Sequence, residues 1–192
     1  MSLFLTLLLS HLVADFPLQW NALVRMKQNG QAGLIIHSSM HVIVASLLLQ
    51  EPLKQWPLLL VLGTIHWLID WTKVSLPNSN TVWGFLLDQV AHLVSILLIV
   101  SIYGLFFQTS PAAILPDNIL TAAVVYGIVI GIMVFVWVWA NSQSEEVIQS
   151  VPIIQWTQAQ MLQFSQQLGM ALIGALLYGL YHFSFVNQFP CC

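Results

Sequence analysis

The chain is poor in charge and in cysteine. Of its 192 residues, four are lysine or arginine and seven are aspartate or glutamate, so charged residues make up only 6%. Such a composition cannot supply the polar surface of a soluble domain, and it leaves no basic stripe for a phosphate backbone, which excludes nucleic acid as an expected partner. Both cysteines, Cys191 and Cys192, stand together at the end of the sequence. We therefore expect no disulfide framework and an inert tail.

Apolar residues dominate what remains. Hydrophobic residues account for 58% of the chain, and its mean hydropathy is +0.85. Because a transmembrane helix needs about 20 apolar residues, the length has room for five or six crossings and for no separate soluble domain. We predict an all-α integral membrane protein with six transmembrane helices, at residues 3–24, 33–49, 56–74, 82–107, 119–140 and 168–186. The polar connector 141–167 is expected to include an amphipathic segment on the membrane surface.

Histidine and aspartate occur in pairs four residues apart in each of the first four predicted helices. Residues at this spacing share one helix face. Ionisable side chains inside a bilayer are costly, usually face the protein interior, and usually mark an ion, proton or substrate site. Random placement would produce about 0.5 pairs at the spacing that shares a face. The four pairs are His11 and Asp15, His37 and His41, His66 and Asp70, and Asp88 and His92.

The pairs also indicate an internal repeat. The segment from His11 to Asp15 resembles the segment from His66 to Asp70, and each is followed by a helix with a second pair. At a rise of 1.5 Å per residue, all four pairs fall in one layer of the membrane. We predict that residues 1–107 form a four-helix bundle of two repeated hairpins around a His/Asp cluster. Residues 108–192 are expected to add two helices and the connector.

A metal centre explains this composition better than a proton relay does. Three aspartates packed together would repel one another and take up protons, whereas divalent ions would neutralise them. Five histidines and three aspartates provide about four ligands for each of two ions, and mixed ligands of this kind suit zinc, iron or manganese. The predicted ligands are His11, Asp15, His37, His41, His66, Asp70, Asp88 and His92.

The paired segments carry a resemblance as well. The runs from His11 to Gln19, from His66 to Lys73 and from Leu87 to His92, together with His37 and His41, resemble a bacterial integral membrane family of unknown function over residues 3–99. A looser similarity is to bacterial membrane-bound metal-dependent hydrolases. The resemblance implies a location in the bacterial inner membrane and suggests hydrolysis as the reaction class.

From these observations we expect a metal-dependent hydrolase that acts on a lipid-like or anionic, membrane-associated substrate. Asp15, Asp70 and Asp88 are the candidate catalytic carboxylates. Three alternatives stay open. The metalloenzyme could carry out oxidative rather than hydrolytic chemistry, or the protein could be a transporter of divalent metal or protons. The third is an auxiliary subunit of a larger membrane complex whose histidines staple helices or ligate haem or another pigment. The expected substrate-binding residues are Gln19, Arg25, Lys73 and Gln89.

Two further features concern orientation and assembly. Arg25, Lys27 and Lys73 lie at one face and Lys54 at the other, so the positive-inside rule places both termini outside the cytoplasm. Gly127 and Gly131 form a GxxxG motif in the fifth predicted helix, which suits close helix packing or formation of an oligomer.

Overall fold

The computed structural model describes residues 2–76, 81–107 and 111–186, and within these ranges the fold is helical with a single isolated β-bridge between Leu49 and Ala113. Short 3₁₀ and π turns follow α3 and α8. Residues 77–80, between the third and fourth predicted helices, and the terminal cysteines lie outside the described residues. The helices are α1 (Ser2–Asp15), α2 (Asn21–Asn29), α3 (Gln31–Leu48), α4 (Trp56–Ser75), α5 (Val82–Phe106), α6 (Asp117–Asn141), α7 (Glu145–Ser150) and α8 (Pro152–Tyr181).

Four helical segments are long and apolar enough to cross a membrane: Gln31–Leu48, Val82–Phe106, Asp117–Asn141 and Pro152–Phe185. Their mean hydropathies range from 1.4 to 2.7. This pattern confirms the prediction of a helical membrane protein. Because α1 has only 14 residues and α4 is not among the four, the count of six crossings stays a prediction.

The first predicted helix, residues 3–24, is wrong in its extent. Helix α1 ends at Asp15, and a separate amphipathic helix, α2, begins at Asn21. The cause is Pro17, which has no N–H to donate and disfavours helical backbone at the preceding residue. The chain leaves α1 in a wide turn in which Leu18 N–H donates to Val13 C=O at 3.0 Å. Arg25 and Lys27, which lie between the first two predicted helices, therefore belong to a helix of their own.

The last helix also differs from its predicted range. Helix α8 begins at Pro152, not near residue 168, because proline is well suited to the first turn of a helix. Before it, Ser144 accepts a hydrogen bond from Val147 N–H and caps the short helix α7. Most of the predicted connector 141–167 is therefore helical, and its residues 152–167 form the first part of α8.

Helices α1, α3, α4 and α5 form a closed ring, since each packs against the next and α5 returns to α1. Helices α6 and α8 pack together, and α6 lies beside α1. One end of the bundle contains the C-terminal end of α1 and the helix α2. We call this end the α2 face. Toward the opposite face the ring is filled by buried apolar side chains, including Leu7, Ala45, Leu58 and Ile99.

Two small residues bring α6 close to α1. A Cβ on Gly127 would lie 3.1 Å from Leu12, and one on Gly131 would lie 2.8 Å from the ring of Phe16. The GxxxG motif thus packs against α1 within the chain, as small residues do at close helix contacts in membranes.

Candidate metal centre

The ring of α1, α3, α4 and α5 brings all eight predicted ligand residues together. Each pair lies one helical turn apart on the face that its helix turns toward the ring interior. None of the eight residues is more than 8% exposed. Since buried ionisable groups must find partners, their mutual contacts decide what this cluster can do.

The carboxylate of Asp15 lies in the middle of the cluster. Its Oδ1 is 3.0 Å from Nε2 of His37 and 3.0 Å from Nε2 of His41. The same oxygen lies 3.7 Å from Nε2 of His66, and Oδ2 lies 3.7 Å from Nε2 of His11. One carboxylate therefore faces four imidazoles from three helices.

The other two carboxylates each meet a lysine. Lys27 Nζ lies 2.7 Å from Oδ2 of Asp70, and Lys73 Nζ lies 2.7 Å from Oδ2 of Asp88. On the remaining oxygens, Nε2 of His92 lies 3.7 Å from Oδ1 of Asp70 and 3.5 Å from Oδ1 of Asp88. The three aspartates thus have unequal surroundings: two are paired with ammonium groups, and Asp15 is surrounded by imidazoles.

The five imidazoles are tightly packed. The ring centroids of His41 and His66 are 3.4 Å apart, and those of His66 and His92 are 4.0 Å apart. The ring of His11 lies 4.9 Å from that of His92. Side chains at these separations leave no room for a porphyrin between them.

The donor set passes a test for metal binding. Among the described residues, Nε2 of His66, Nε2 of His92 and Oδ1 of Asp88 are buried without a hydrogen-bond partner. The distances between these imidazole nitrogens and the carboxylate oxygens that face them, 3.5 to 3.7 Å, are longer than the length of a hydrogen bond. Donor atoms at about 2.0–2.2 Å from a tetrahedral ion lie roughly 3.3–3.6 Å from one another, which is close to this spacing and longer than the 3.0 Å between Oδ1 of Asp15 and Nε2 of His37 or His41.

Three sets of these residues have one ligand atom each within 4.8 Å of one another. The largest contains four residues from α1, α3 and α4. The sets overlap, because His66 and Asp15 each occur twice. They are His11 with Asp15, His41 and His66; His37 with His66 and Asp70; and Asp15 with Asp88 and His92.

Gln89 connects three members of the cluster. Its Oε1 lies 3.2 Å from Nε2 of His11, and its side-chain N–H groups donate to Asp15 at 3.2 Å and to Asp88 at 3.3 Å. An amide that bonds candidate ligands in this way orients them. The structure therefore places this predicted substrate residue among the candidate ligands.

The other three predicted substrate residues differ in their contacts. The predicted helix 3–24 would put Gln19 on the same face as His11, two turns further on, and this is wrong because α1 ends at Asp15. The Oε1 of Gln19 instead accepts a hydrogen bond from Lys27 at 3.1 Å. Arg25 is exposed on α2. Lys73 reaches the cluster through Asp88.

Sequence reasoning missed Lys27 as a site residue. It was counted only as one of the basic residues that set orientation. Its side chain is 12% exposed and lies against Asp70. The signal in the sequence was Pro17, since a helix broken there allows the following segment to fold back over the cluster.

A pocket of about 400 Å³ opens at the α2 face and ends at the cluster. We call it the inner pocket. Asn141 and Gln166 line its polar part, Phe85 and Trp137 line its apolar part, and Asp15 lies among its lining residues. Gln19 and Lys73 also line it.

A second cavity, the lateral groove, lies between α4 and α5 and measures about 480 Å³. Its lining is largely apolar and includes Leu68, Leu87 and Ala91, together with Lys73 and Asp88. Leu68 and Leu87 are exposed on the outer surface of the bundle. Lys73 therefore lines both cavities, the inner pocket with its polar residues and the largely apolar lateral groove.

These residues lie within a region that matches a known family. The family described as protein of unknown function (DUF3307) matches residues 3–121, which includes all eight cluster residues and the whole ring of helices. The chain belongs to this family. No curated protein and no solved structure matches it.

Proposed function

We propose that this protein is a metal-dependent hydrolase of the bacterial inner membrane that acts on a lipid-like substrate. The observation that carries the proposal is the buried cluster of three aspartates and five imidazoles, with donor atoms spaced as ligands of an ion are spaced. A divalent ion bound there would activate a water molecule and polarise a carbonyl or phosphoryl oxygen of the substrate. Zinc, iron and manganese all suit this mixed ligand set.

The two cavities support a substrate with a polar head and an apolar tail. The inner pocket offers polar residues at its mouth and a route to Asp15. The lateral groove offers an apolar surface beside Asp88 and Lys73. The ammonium group of Lys73 pairs with Asp88 at this junction and has further N–H groups with which to bond an anionic head group. The substrate we propose is therefore an amphiphile with an ester or phosphoester bond near its head.

Two side chains have the remaining roles: Asp88 transfers the proton, and Lys73 positions Asp88. Oδ1 of Asp88 has no hydrogen-bond partner among the described residues, so it is the carboxylate oxygen best placed to take a proton. The attacking water loses its proton to Asp88, and its oxygen bonds to the acyl carbon or phosphorus atom. The ester oxygen then leaves with the proton returned by Asp88. Lys73 keeps this carboxylate in place through the ion pair at 2.7 Å.

A site that opens toward one face supports an enzyme over a transporter. On the side away from the α2 face, the ring is packed with apolar side chains, including Leu3, Leu7, Leu59 and Leu62, which are at most 7% exposed. An ion or proton leaving in that direction would cross a dry leucine layer at high cost.

The proposal includes a topology. Helices α1 and α4 complete the ring that holds the cluster, so we propose that both enter the membrane and that the chain makes six crossings. We further propose that α1 with α3 and α4 with α5 are repeated hairpins. The α2 face, with its three basic residues, then faces the cytoplasm, and both termini lie outside it.

Hydrolysis can be tested on purified protein in nanodiscs loaded with zinc or manganese. The probes are 4-nitrophenyl dodecanoate and dodecyl 4-nitrophenyl phosphate, with 4-nitrophenyl acetate as the short-chain comparison. We expect release of nitrophenol from a long-chain probe that a chelator abolishes and that Asp88→Asn lowers by about 10²–10⁴-fold, the usual contribution of a general base. Asp117→Asn, at the exposed start of α6, is the matched control. Equal activity of Asp88→Asn and the parent protein would exclude this role.

A further inference from the structure

Three apolar grooves lie between neighbouring helices of the bundle, and one of them differs from the others. The groove between α3 and α4 has a volume of about 500 Å³, and the groove between α6 and α8 has a volume of about 400 Å³. No charged residue is among the described residues that line these two grooves. The lateral groove, between α4 and α5, is lined by Lys73 and Asp88 in addition to its apolar side chains. Of the three, it therefore offers both apolar contacts and charged groups to a ligand.

Small side chains on α5 leave room for the lateral groove. Gly84 and Ala91 both line it, and they are seven residues apart, so they lie on one face of α5 two turns from each other. Leu87 lies between them, and Leu68 and Ile69 line the groove from α4. At a rise of 1.5 Å per residue, the distance from Gly84 to Ala91 is about 10 Å along the helix axis. The groove is thus elongated and apolar, which suits a single hydrocarbon chain.

Two residues, Lys73 and Thr81, line both the lateral groove and the inner pocket. The Lys73 ammonium group has three N–H groups, and the ion pair of 2.7 Å with Asp88 uses one of them. Thr81 Oγ1 accepts a hydrogen bond from Gly84 N–H at 3.1 Å, which leaves the hydroxyl hydrogen to donate. The end of the groove next to the inner pocket therefore offers donors to an anionic or ester oxygen.

The groove has the same orientation as a lipid of the leaflet at the α2 face. Thr81 immediately precedes α5 and lines the inner pocket, which opens at the α2 face. Ala91 comes ten residues later. It lies about 15 Å deeper along α5, which is half of a hydrocarbon core of roughly 30 Å. A lipid can therefore enter sideways between α4 and α5 with its head group toward the α2 face and without inversion.

The polar end of the groove decides which occupant suits it. A hydrocarbon chain has apolar surroundings both in the bilayer and in the groove, so the chain alone gives no strong preference for either. An anionic head group bonds the two remaining N–H groups of Lys73. An apolar helix of a partner protein would cover these N–H groups without a bond, at the cost of burying a polar group. An anionic lipid is therefore the occupant that suits both ends of the groove.

We propose that the lateral groove binds one hydrocarbon chain of an anionic lipid from the leaflet at the α2 face. The head group lies at Lys73 and Thr81, and the chain runs along α5 to Ala91. This inference rests on the proposed function and specifies its substrate: a lipid that enters from the bilayer, not an amphiphile that enters from water through the inner pocket. The bond to be cleaved then lies beside Asp88, which lines the groove between its two ends.

The test uses the full-length protein in phosphatidylcholine nanodiscs that contain a small fraction of a lipid with a diazirine on one acyl chain. This lipid is either phosphatidylglycerol, which is anionic, or phosphatidylcholine with the same labelled chain. After illumination, peptide mass spectrometry measures the label in residues 68–76 and 84–91, and in the groove between α6 and α8 as an internal reference. We expect phosphatidylglycerol to label the lateral groove more than the reference groove, and phosphatidylcholine to label both alike.

Ala91→Phe fills the apolar end of the lateral groove, and Ala171→Phe is the matched control, because it puts the same ring into the groove between α6 and α8. Ala91→Phe should lower the phosphatidylglycerol label in the lateral groove by about 10-fold, the change that corresponds to 1.4 kcal/mol of steric cost. It should lower hydrolysis of 4-nitrophenyl dodecanoate to a similar extent. Hydrolysis of 4-nitrophenyl acetate should stay unchanged, because the short ester has no chain in the groove. Ala171→Phe should leave the label in the lateral groove and both hydrolysis rates unchanged.

The outcomes separate this inference from the proposed function. Enriched labelling that a folded Ala91→Phe loses supports the lipid site even if no probe is hydrolysed. Equal labelling of the two grooves by both lipids, or labelling that a folded Ala91→Phe leaves unchanged, would overturn the lipid site and leave the hydrolase proposal standing. Equal enrichment by both lipids would overturn the recognition of an anionic head group. The comparison of the two lipids needs only the parent protein, so it decides the inference even if Ala91→Phe does not fold.

Discussion

The imidazole rings of His41 and His66 lie with their centroids 3.4 Å apart, although they belong to different helices, α3 and α4. Both rings also lie near Oδ1 of Asp15 on α1, His41 at 3.0 Å and His66 at 3.7 Å. An ion bound by these three residues would link three helices of the ring. Metal binding is then coupled to the stability of the bundle.

Zinc is therefore expected to raise the melting temperature of the protein in detergent. A ligand that binds only the folded state at 100 times its Kd contributes about 2.7 kcal/mol. His41→Ala should lose most of this shift, because it removes one of the four ligands in the largest candidate set. His182→Ala, in the turn after α8 and outside the cluster, should keep it. Differential scanning fluorimetry with and without a chelator measures both, and an unchanged melting temperature of the parent protein would exclude tight zinc binding.

The packing of α8 makes a second prediction, which is independent of metal. A Cβ on Gly169 would lie 2.7 Å from Cβ of Pro17, whereas no atom outside its own helix lies within 4 Å of a Cβ on Gly174 in the described structure. Gly169→Ala should destabilise the protein by about 1–3 kcal/mol, because the turn after α1 must move. Gly174→Ala should be neutral or stabilise by up to about 1 kcal/mol, the difference in helix propensity. Thermal unfolding of both variants distinguishes these results, and equal melting temperatures would contradict the packing.

Helix α2 supplies a third prediction. Because Gly33 touches the main chain of Met26 and Lys27, Gly33→Ala should push α2 away from α3 and withdraw Lys27 from Asp70. Hydrogen exchange of the amides in 21–29 should then become faster while exchange in α5 stays slow. Gly104→Ala is the control, since a Cβ there meets no atom within 4 Å in the described structure. Unchanged exchange in 21–29 would show that α2 is held by other contacts.

The sequence predicted which residues would meet because their placement depends on local geometry alone. A pair at i and i+4 shares a face in any α-helix, so His66 and Asp70 point the same way whatever the tertiary structure. Polar groups in an apolar helix must then turn away from lipid. These two rules suffice to bring the four pairs to the interior of one ring.

The sequence did not predict the ion pair between Lys27 and Asp70, because this contact depends on a break in the first predicted helix. Continuing the first helix past Pro17 placed Gln19 on the His11 face and left Lys27 in a loop, whereas the chain turns and returns as α2. The ion pair between Lys27 and Asp70 joins residues 43 positions apart through this turn. No local periodicity contains that contact. Gln89 was predicted near the site because it adjoins Asp88, and its three bonds depend on how α5 packs against α1.

Gln89 supplies a fourth prediction, because it holds ligand residues without being one. Gln89→Leu removes its contacts with His11, Asp15 and Asp88 while leaving all eight His and Asp side chains in place. Loss of such an orienting partner typically costs 10- to 100-fold in metal affinity, so the zinc Kd should rise by about this factor. Competition with a fluorescent zinc chelator measures the change. Gln31→Leu is the matched control, since Gln31 is exposed and its side chain accepts a hydrogen bond from Trp67, which is not a member of the cluster. If Gln89→Leu binds zinc as tightly as Gln31→Leu, the amide orients no ligand, and the geometry around Asp15 must be maintained by helix packing alone.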